Sequence, residues 1–422
     1  VFSYREDGNM VEMTPQKKTV LGLQHMVAMF GATILVPLIT GLNPSVALIA
    51  AGVGTWLFHI VTKFGVPVFL GSSFAFIPPI LLAQAEGYDF ASIGGGIMAA
   101  GVVYLIVAGI VWALPNGSQQ IRALFPPVVT GPVITVIGIT LAPIAISQAE
   151  GNWWLAVVTL LATIVAAIWF KGLFKMLPIL TGFVVGYLVA LIFGEVNFDA
   201  LGDVKWIAWP EFTLGSFDWS VIWIIAPVAF VTMIEHVGDI LTNGRVVGKD
   251  FFEDPGVNRT MLGDGLATLF AGFVGGPPNT TYSENTGVLA VTKVYDPMVL
   301  RIGAGFAILL GFIPKFGALL QTVPVPVLGG LSIVLFGMIA SVGIRVLADA
   351  NLDFTHSRNL IVVALILVFG LGYSGLESPL AIGDVQISGL ALAAVVGVVA
   401  NLVIPKAIDE EVLEDTELDS VN

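Results

Sequence analysis

Two carboxylates stand four residues apart inside an apolar run: Glu235 and Asp239 in VAFVTMIEHVGDILT. On a helix that spacing puts both on one face. A charge at the centre of a bilayer costs about 2.5–3.5 kcal/mol on insertion scales, so an ionisable residue there is a functional hypothesis by default. Two like charges on one low-dielectric face repel, and a shared proton relieves the repulsion. Glu235 and Asp239 are therefore candidates for proton coupling. His236 is one residue on, turned about 100° away, and is expected to face another helix. His25, in the first apolar stretch, suits a proton-holding role or an interhelical hydrogen bond equally. A third carboxylate, Glu284, opens the run after Tyr282. At a helix N-terminus the dipole supports its charge, and its oxygens can accept from a ligand's N–H groups. Phe74 and Tyr282 offer flat faces for stacking on a planar ligand. His59 reads as a membrane-facing or packing residue near a span end. No Ser/His/Asp constellation or metal-ligand cluster is evident, and Glu235-His236-Val237-Gly238-Asp239 lacks the second histidine of a zincin motif. Neither an enzyme nor a metal site is expected.

The elements that must position these residues are membrane segments. Of 422 residues, 56% are hydrophobic and only 11% charged, against roughly 25% charged in a soluble domain. That excludes an ordinary soluble enzyme and a disordered chain. With no cysteine there is no disulfide framework. The 17 Lys and Arg form no basic cluster, so no nucleic-acid partner is expected. Acid gathers in 195–218 and 409–419, read as a solvated loop and tail. The first 18 residues are polar and lack the apolar core of a signal peptide. Apolar stretches follow near 20–39, 45–62, 93–114, 124–147, 153–170, 177–194, 220–241, 299–313, 325–347, 358–373 and 386–404. Two regions, 66–83 and 274–292, break the pattern with Gly, Pro, Ser and Thr, and 261–273 is a weak, glycine-containing span. Together they make fourteen segments. With the N-terminus inside, nearly all Lys and Arg fall on the cytoplasmic side. The chain is thus expected to be an all-α polytopic membrane protein in the cell membrane with both termini cytoplasmic.

The two irregular regions resemble each other. Ser72-Ser73-Phe74 matches Thr280-Thr281-Tyr282. Pro127, Gly131 and Gly138 match Pro326, Gly330 and Gly337 at one offset, and Gln24-His25 matches Glu235-His236. Seven segments followed by seven reverse orientation, giving inverted repeats. In transporters built this way the substrate site lies at the midplane, where discontinuous segments expose backbone groups. Such backbone must be buried in protein or line a wet cavity. The two strand-like triplets are expected to pair with each other, with the following half-helices aiming their positive ends at the centre.

The run Glu284-Asn285-Thr286-Gly287-Val288-Leu289-Ala290-Val291-Thr292-Lys293 resembles the nucleobase–ascorbate transporter signature, [Q/E/P]-N-x-G-x-x-x-x-T-[R/K/G], through Asn285, Gly287 and Thr292. Gln24-His25 resembles that family's first-span motif, and the similarity runs from about Leu23 to Ile404. The resemblance implies fourteen segments as 7+7 inverted repeats, with short strands in broken segments 3 and 10. It implies a cytoplasmic tail (1–18), a core domain (19–115 and 220–315), a gate domain (120–196 and 323–405), an extracellular acidic loop (197–219) and an acidic cytoplasmic tail (406–422). Glu235 and Glu284 would hydrogen-bond a nucleobase. Backbone at Phe74 and Tyr282 would assist, with Ala75 and Ser283 beside them, and Phe336 would close from the gate side. The resemblance further implies proton symport with no cofactor beyond the co-transported proton, a uracil or related nucleobase as substrate, and a homodimer as a weak expectation. Asp239 stands where uracil-type members have histidine and purine- or xanthine-type members have aspartate, whereas Glu284 is the uracil-type residue. A purine or xanthine symporter is thus the alternative. An anion transporter of the related sulfate-permease architecture would want a basic residue near segments 3 and 10, where this sequence has none.

Overall fold

The computed structural model describes residues 3–4, 10–11, 13–172, 175, 177–202, 204–374, 380–382 and 385–405. The acidic tail 406–422 and most of the first twelve residues lie outside the described residues. The first helix, Pro15–Thr40, starts earlier than the tail 1–18 allows. Thr14 caps it by accepting from the Lys17 N–H, and Pro15 sits where its missing N–H costs nothing. Lys18 therefore projects from a helix, and its Nζ lies 2.9 Å from Asp296.

Six helices have the length and apolarity to cross a membrane: Pro15–Thr40, Pro44–Val61, Phe90–Ala113, Pro127–Glu150, Trp219–Val247 and Val325–Asp349. A seventh candidate, Pro297–Gly311 with Pro314–Gln321, bends by 81°. Shorter apolar helices lie between them, including Trp153–Trp169, Pro178–Ile192 and Gly389–Val403. Among the described residues, length and apolarity do not give a count of fourteen, and strands interrupt the two segments expected to be broken. In the other direction, the stretch read as weak at 261–273 is an unbroken helix, Val257–Val274. Its glycines reflect packing rather than fragility. A Cβ on Gly272 would lie 2.6 Å from the Gly94 carbonyl oxygen, so only glycine lets this helix and Phe90–Ala113 touch backbone to backbone.

The chain repeats its plan. The helices Pro15–Thr40 and Pro44–Val61 lead into the strand Leu70–Ser72, a 3-10 turn Phe74–Phe76 and the short helix Ile77–Ala85. The helices Ala229–Val247 and Val257–Val274 lead into the strand Asn279–Thr281 and the short helix Ser283–Thr292. The two strands pair antiparallel, Leu70 with Thr281, Gly71 with Thr280 and Ser72 with Asn279. In the sequence repeat Ser72 corresponds to Thr280, and Gly71 to Asn279. The register thus places Gly71 opposite the counterpart of Ser72 and Ser72 opposite the counterpart of Gly71, consistent with a two-fold axis between the strands. Ser73 N–H to Pro278 O (2.8 Å) and Tyr282 N–H to Phe69 O (3.0 Å) extend the ladder. The non-helical backbone is thereby satisfied inside the protein.

The helices sort into two packed groups. Pro15–Thr40, Pro44–Val61, Phe90–Ala113, Val257–Val274 and Pro297–Gly311 pack around the paired strands. Pro127–Thr140, Ala142–Glu150, Trp153–Trp169 and Pro178–Ile192 pack with Val325–Asp349, Ser357–Ser374 and Gly389–Val403. The helix Ala229–Val247 touches both.

Candidate functional site

The strand pair is anchored on every side by side chains of the first group. Thr55 Oγ1 accepts the Leu70 N–H at 3.0 Å. Ser72 donates to the Thr33 carbonyl at 2.9 Å. Thr268 donates to the Asn279 carbonyl at 2.9 Å, and Asn279 donates to the Ala50 carbonyl at 2.9 Å. His59, read as a membrane-facing or packing residue, is buried and hydrogen-bonded through Nε2 to the Val68 carbonyl at 2.8 Å. It fixes the entry to the first strand.

Beyond each strand a half-helix begins without a side-chain cap from its first residue, Ser73 or Tyr282. The backbone N–H groups there and the dipole make a site for carbonyl or anionic groups. Phe74 and Ala75 lie in the first turn, both buried. Ser283 and Glu284 open the second half-helix, and both are half-buried. Glu235 is also half-buried, on the helix Ala229–Val247. It lies within electrostatic range of Asp239, Asp264 and Glu284, and its Oε2 is buried without a hydrogen-bond partner. The Glu284 carboxylate meets its own backbone N–H and bonds no other described residue. Two acceptor groups thus face one region beside two sets of backbone donors. From the second helix group Phe336, buried, meets the Phe74 ring edge-on, with centroids 5.8 Å apart. This contact bridges the two groups at the site.

Other expected site residues have different work. Asp239 accepts from Thr281 (2.9 Å) and from Ser283 (2.6 Å), straddling the junction of strand and half-helix. The Ser283 hydroxyl is therefore engaged by Asp239. The Tyr282 side chain is buried, and its hydroxyl is tied to the strand pair. Its hydroxyl donates to the Ser72 carbonyl (2.9 Å) and accepts from Thr33 (3.3 Å), pinning the ring under the strand pair. His25 is held by Asn285, whose amide donates to its carbonyl oxygen at 3.0 Å and lies 3.1 Å from its Nδ1. The first and tenth segments are locked together there. Gln24 is half-buried next to it. Thr292 donates to the Val288 carbonyl at the far end of the half-helix, away from the ligand region. Gly287 is exposed, and a Cβ there would meet nothing within 4 Å. Nothing within the fold itself demands glycine at that position.

His236 faces away from the carboxylate pair, as the 100° turn requires. Its Nδ1 lies 3.4 Å from Asp264 Oδ2, and both side chains are fully buried. Phe58 meets its ring edge-on at 6.4 Å. Asp264, with Tyr104 in electrostatic range, forms a polar layer behind Glu235 that sequence reading missed. The signal was present: a lone acid bracketed by glycines in Gly263-Asp264-Gly265. Asn243 was also missed. Its amide reaches the Pro67 carbonyl (3.1 Å) and Thr286 (3.2 Å), tying the helix Ala229–Val247 to both broken segments.

The strand pair allows one sharp prediction. A Cβ on Gly71 would lie 2.5 Å from both Thr33 Oγ1 and the Tyr282 ring, each pinned by hydrogen bonds. Gly71→Ala should cost about 1–3 kcal/mol of stability, as overpacking does. A lowered melting temperature of the detergent-solubilised protein would register it, and an unchanged one would contradict the packing described.

Residues 16–377 match the model of a permease family that takes in xanthine and uracil permeases. The chain belongs to that family, the nucleobase–ascorbate transporters. It is 45% identical over 419 residues to the uracil permease of Bacillus caldolyticus, covering 95% of each chain. To the uracil permease of Escherichia coli K12 it is 39% identical over 421 residues, covering 96% of each. Its fold is similar to the transmembrane domain of the cyanobacterial bicarbonate transporter BicA, with TM-score 0.56, 14% identity and coverage of 93% of this chain and 98% of that one. It is also similar to murine Slc26a9, an anion transporter in the inward-facing state, with TM-score 0.67, 12% identity and coverage of 94% and 69%. At such identity the likeness shows the fold alone. This family member is a multi-pass membrane permease and not an enzyme.

Proposed function

We propose that the chain imports uracil together with a proton by alternating access. The observation that carries this reading is the pair Glu235 and Glu284, with acceptor oxygens unclaimed by any other side chain, set beside the uncapped starts of two half-helices. Uracil presents N–H donors and C=O acceptors around one planar ring. The carboxylates take the donors, and the backbone N–H groups near Phe74 and Ser283 give to the carbonyls. Phe336 closes over the ring from the second helix group, which acts as the gate, while the group built around the paired strands acts as the core. Names of relatives at 39–45% identity over nearly the whole chain support uracil as the substrate.

The proton is held at Glu235 and Asp239, which share a helix face and lie within electrostatic range. Neutralising this face lets the loaded core slide past the gate. Both termini face the cytoplasm of the cell, where the positive charges fall. A second reading, a purine or xanthine symporter, is favoured by Asp239 alone. Competition for labelled uracil uptake into proteoliposomes separates the two. Unlabelled uracil should abolish uptake, while xanthine, hypoxanthine and adenine at equal concentration leave it intact. Stronger competition by xanthine would transfer the assignment to the second reading.

A further inference from the structure

Arg301 lies in the second turn of the helix Pro297–Gly311, and its guanidinium has no carboxylate partner within 4 Å among the described residues. The nearby acid, Asp296, is already engaged: it meets Lys18 at 2.9 Å and accepts the Met298 N–H at 2.9 Å. One guanidinium nitrogen, Nη2, reaches only the Met298 sulfur at 3.3 Å. The other, Nη1, is buried and bonds nothing. The guanidinium plane sits over the Phe64 ring, 4.7 Å from its centroid. A buried donor of this strength without an acceptor is costly.

The arginine opens into a cleft of about 470 Å³ between the helices Pro44–Val61 and Pro297–Gly311, walled by Trp56, Ile60, Phe64, Ile302 and Gly305. Trp56, Ile60 and Phe64 are exposed on the outside of the molecule. The Trp56 indole N–H donates to the Arg301 carbonyl at 3.0 Å, so this wall is fixed in place. Indole and aromatic side chains of this kind settle at the headgroup level of a bilayer. The same end of the molecule carries Lys18, Lys63 and Arg259, the last donating to the Val61 carbonyl at 3.2 Å. A cationic end of this composition is complementary to an anionic leaflet.

We propose that this cleft seats one anionic phospholipid, its phosphate accepting from Arg301 and an acyl chain lying along Trp56, Ile60 and Ile302. Arg301, which lines the cleft, supplies the polar contact, and the apolar walls supply the remainder. A free phosphate would use the arginine and leave the cleft empty. The site is separate from the carboxylates that face the nucleobase, and it concerns how the core group is held in the bilayer.

Native mass spectrometry of the intact protein, with phosphatidylglycerol or phosphatidylcholine added, tests this. The protein should retain phosphatidylglycerol in preference to phosphatidylcholine. Arg301→Ala should weaken that retention about fivefold, the effect of one cationic side chain at an anionic surface. Gly305→Leu keeps the arginine but fills the cleft. Its new Cβ meets the Trp56 ring at 3.5 Å, an ordinary contact, so the helix backbone itself does not have to move. It too should lose the lipid, while uracil binding by both variants reports that they are folded. Undiminished retention by either folded variant would overturn the proposal. So would inorganic phosphate displacing the lipid at millimolar concentration, or equal retention of the two lipids.

Discussion

Glu284→Ala should weaken uracil binding about 10- to 150-fold, the range that corresponds to losing one charge-assisted hydrogen bond. The carboxylate opens the half-helix Ser283–Thr292 and bonds no other described side chain, so its removal disturbs little of the fold. The loss falls on the ligand, whose N–H is then left without an acceptor in a site closed by Phe74 and Phe336. Glu284→Gln keeps one acceptor oxygen but not the charge, and should fall between wild type and alanine. Titration of the purified protein with uracil gives the three affinities directly. Equal affinities across the series would show that uracil does not meet this residue.

Asp239→Asn should abolish proton-driven accumulation while changing uracil affinity only a few-fold. The two effects separate because Asp239 has two roles. Its oxygens accept from Thr281 and Ser283, holding the strand against the half-helix. An asparagine retains one acceptor there and loses about one hydrogen bond, roughly 0.5–1.5 kcal/mol. The same carboxylate shares its helix face with Glu235, where a proton relieves like-charge repulsion. An amide cannot take up or release that proton. Proteoliposomes with and without an inward proton gradient distinguish the roles. The variant should equilibrate labelled uracil without concentrating it, and uphill uptake equal to wild type would remove Asp239 from the coupling step.

Much of this architecture is legible in the sequence, for physical reasons that vary along the chain. The broken segments are visible because Gly, Pro, Ser and Thr cannot continue an apolar helix, and their likeness, Ser72-Ser73-Phe74 to Thr280-Thr281-Tyr282, announces the repeat and the strand pairing. Glu235 and Glu284 stand out because charge is rare in apolar runs. What the linear pattern does not carry is direction within a packed interior. Tyr282 reads as a stacking surface, yet its hydroxyl ties it to Ser72 and Thr33 across 210 and 249 positions of sequence. For His25 the sequence leaves a proton-holding role and an interhelical hydrogen bond equally open, and only the fold brings Asn285 to it from 260 positions away. Asp264 lies in a stretch whose glycines dilute the hydropathy signal. Gly263 allows close approach to Phe58 and Gly265 to the helix Phe90–Ala113, and Asp264 between them is buried.

A structure of the protein with uracil bound tests the central claim most directly. The base should lie between the half-helix starts at Phe74 and Ser283, with its N–H groups at hydrogen-bond distance from the Glu235 and Glu284 carboxylates and Phe336 over its face. The contrary result is uracil elsewhere, for example in the apolar cleft of about 640 Å³ walled by Met98, Val102, Ile106, Trp219, Trp223 and Phe230. There, few groups could pair with its polar edge. Density in that cleft, with both carboxylates untouched, would contradict the account.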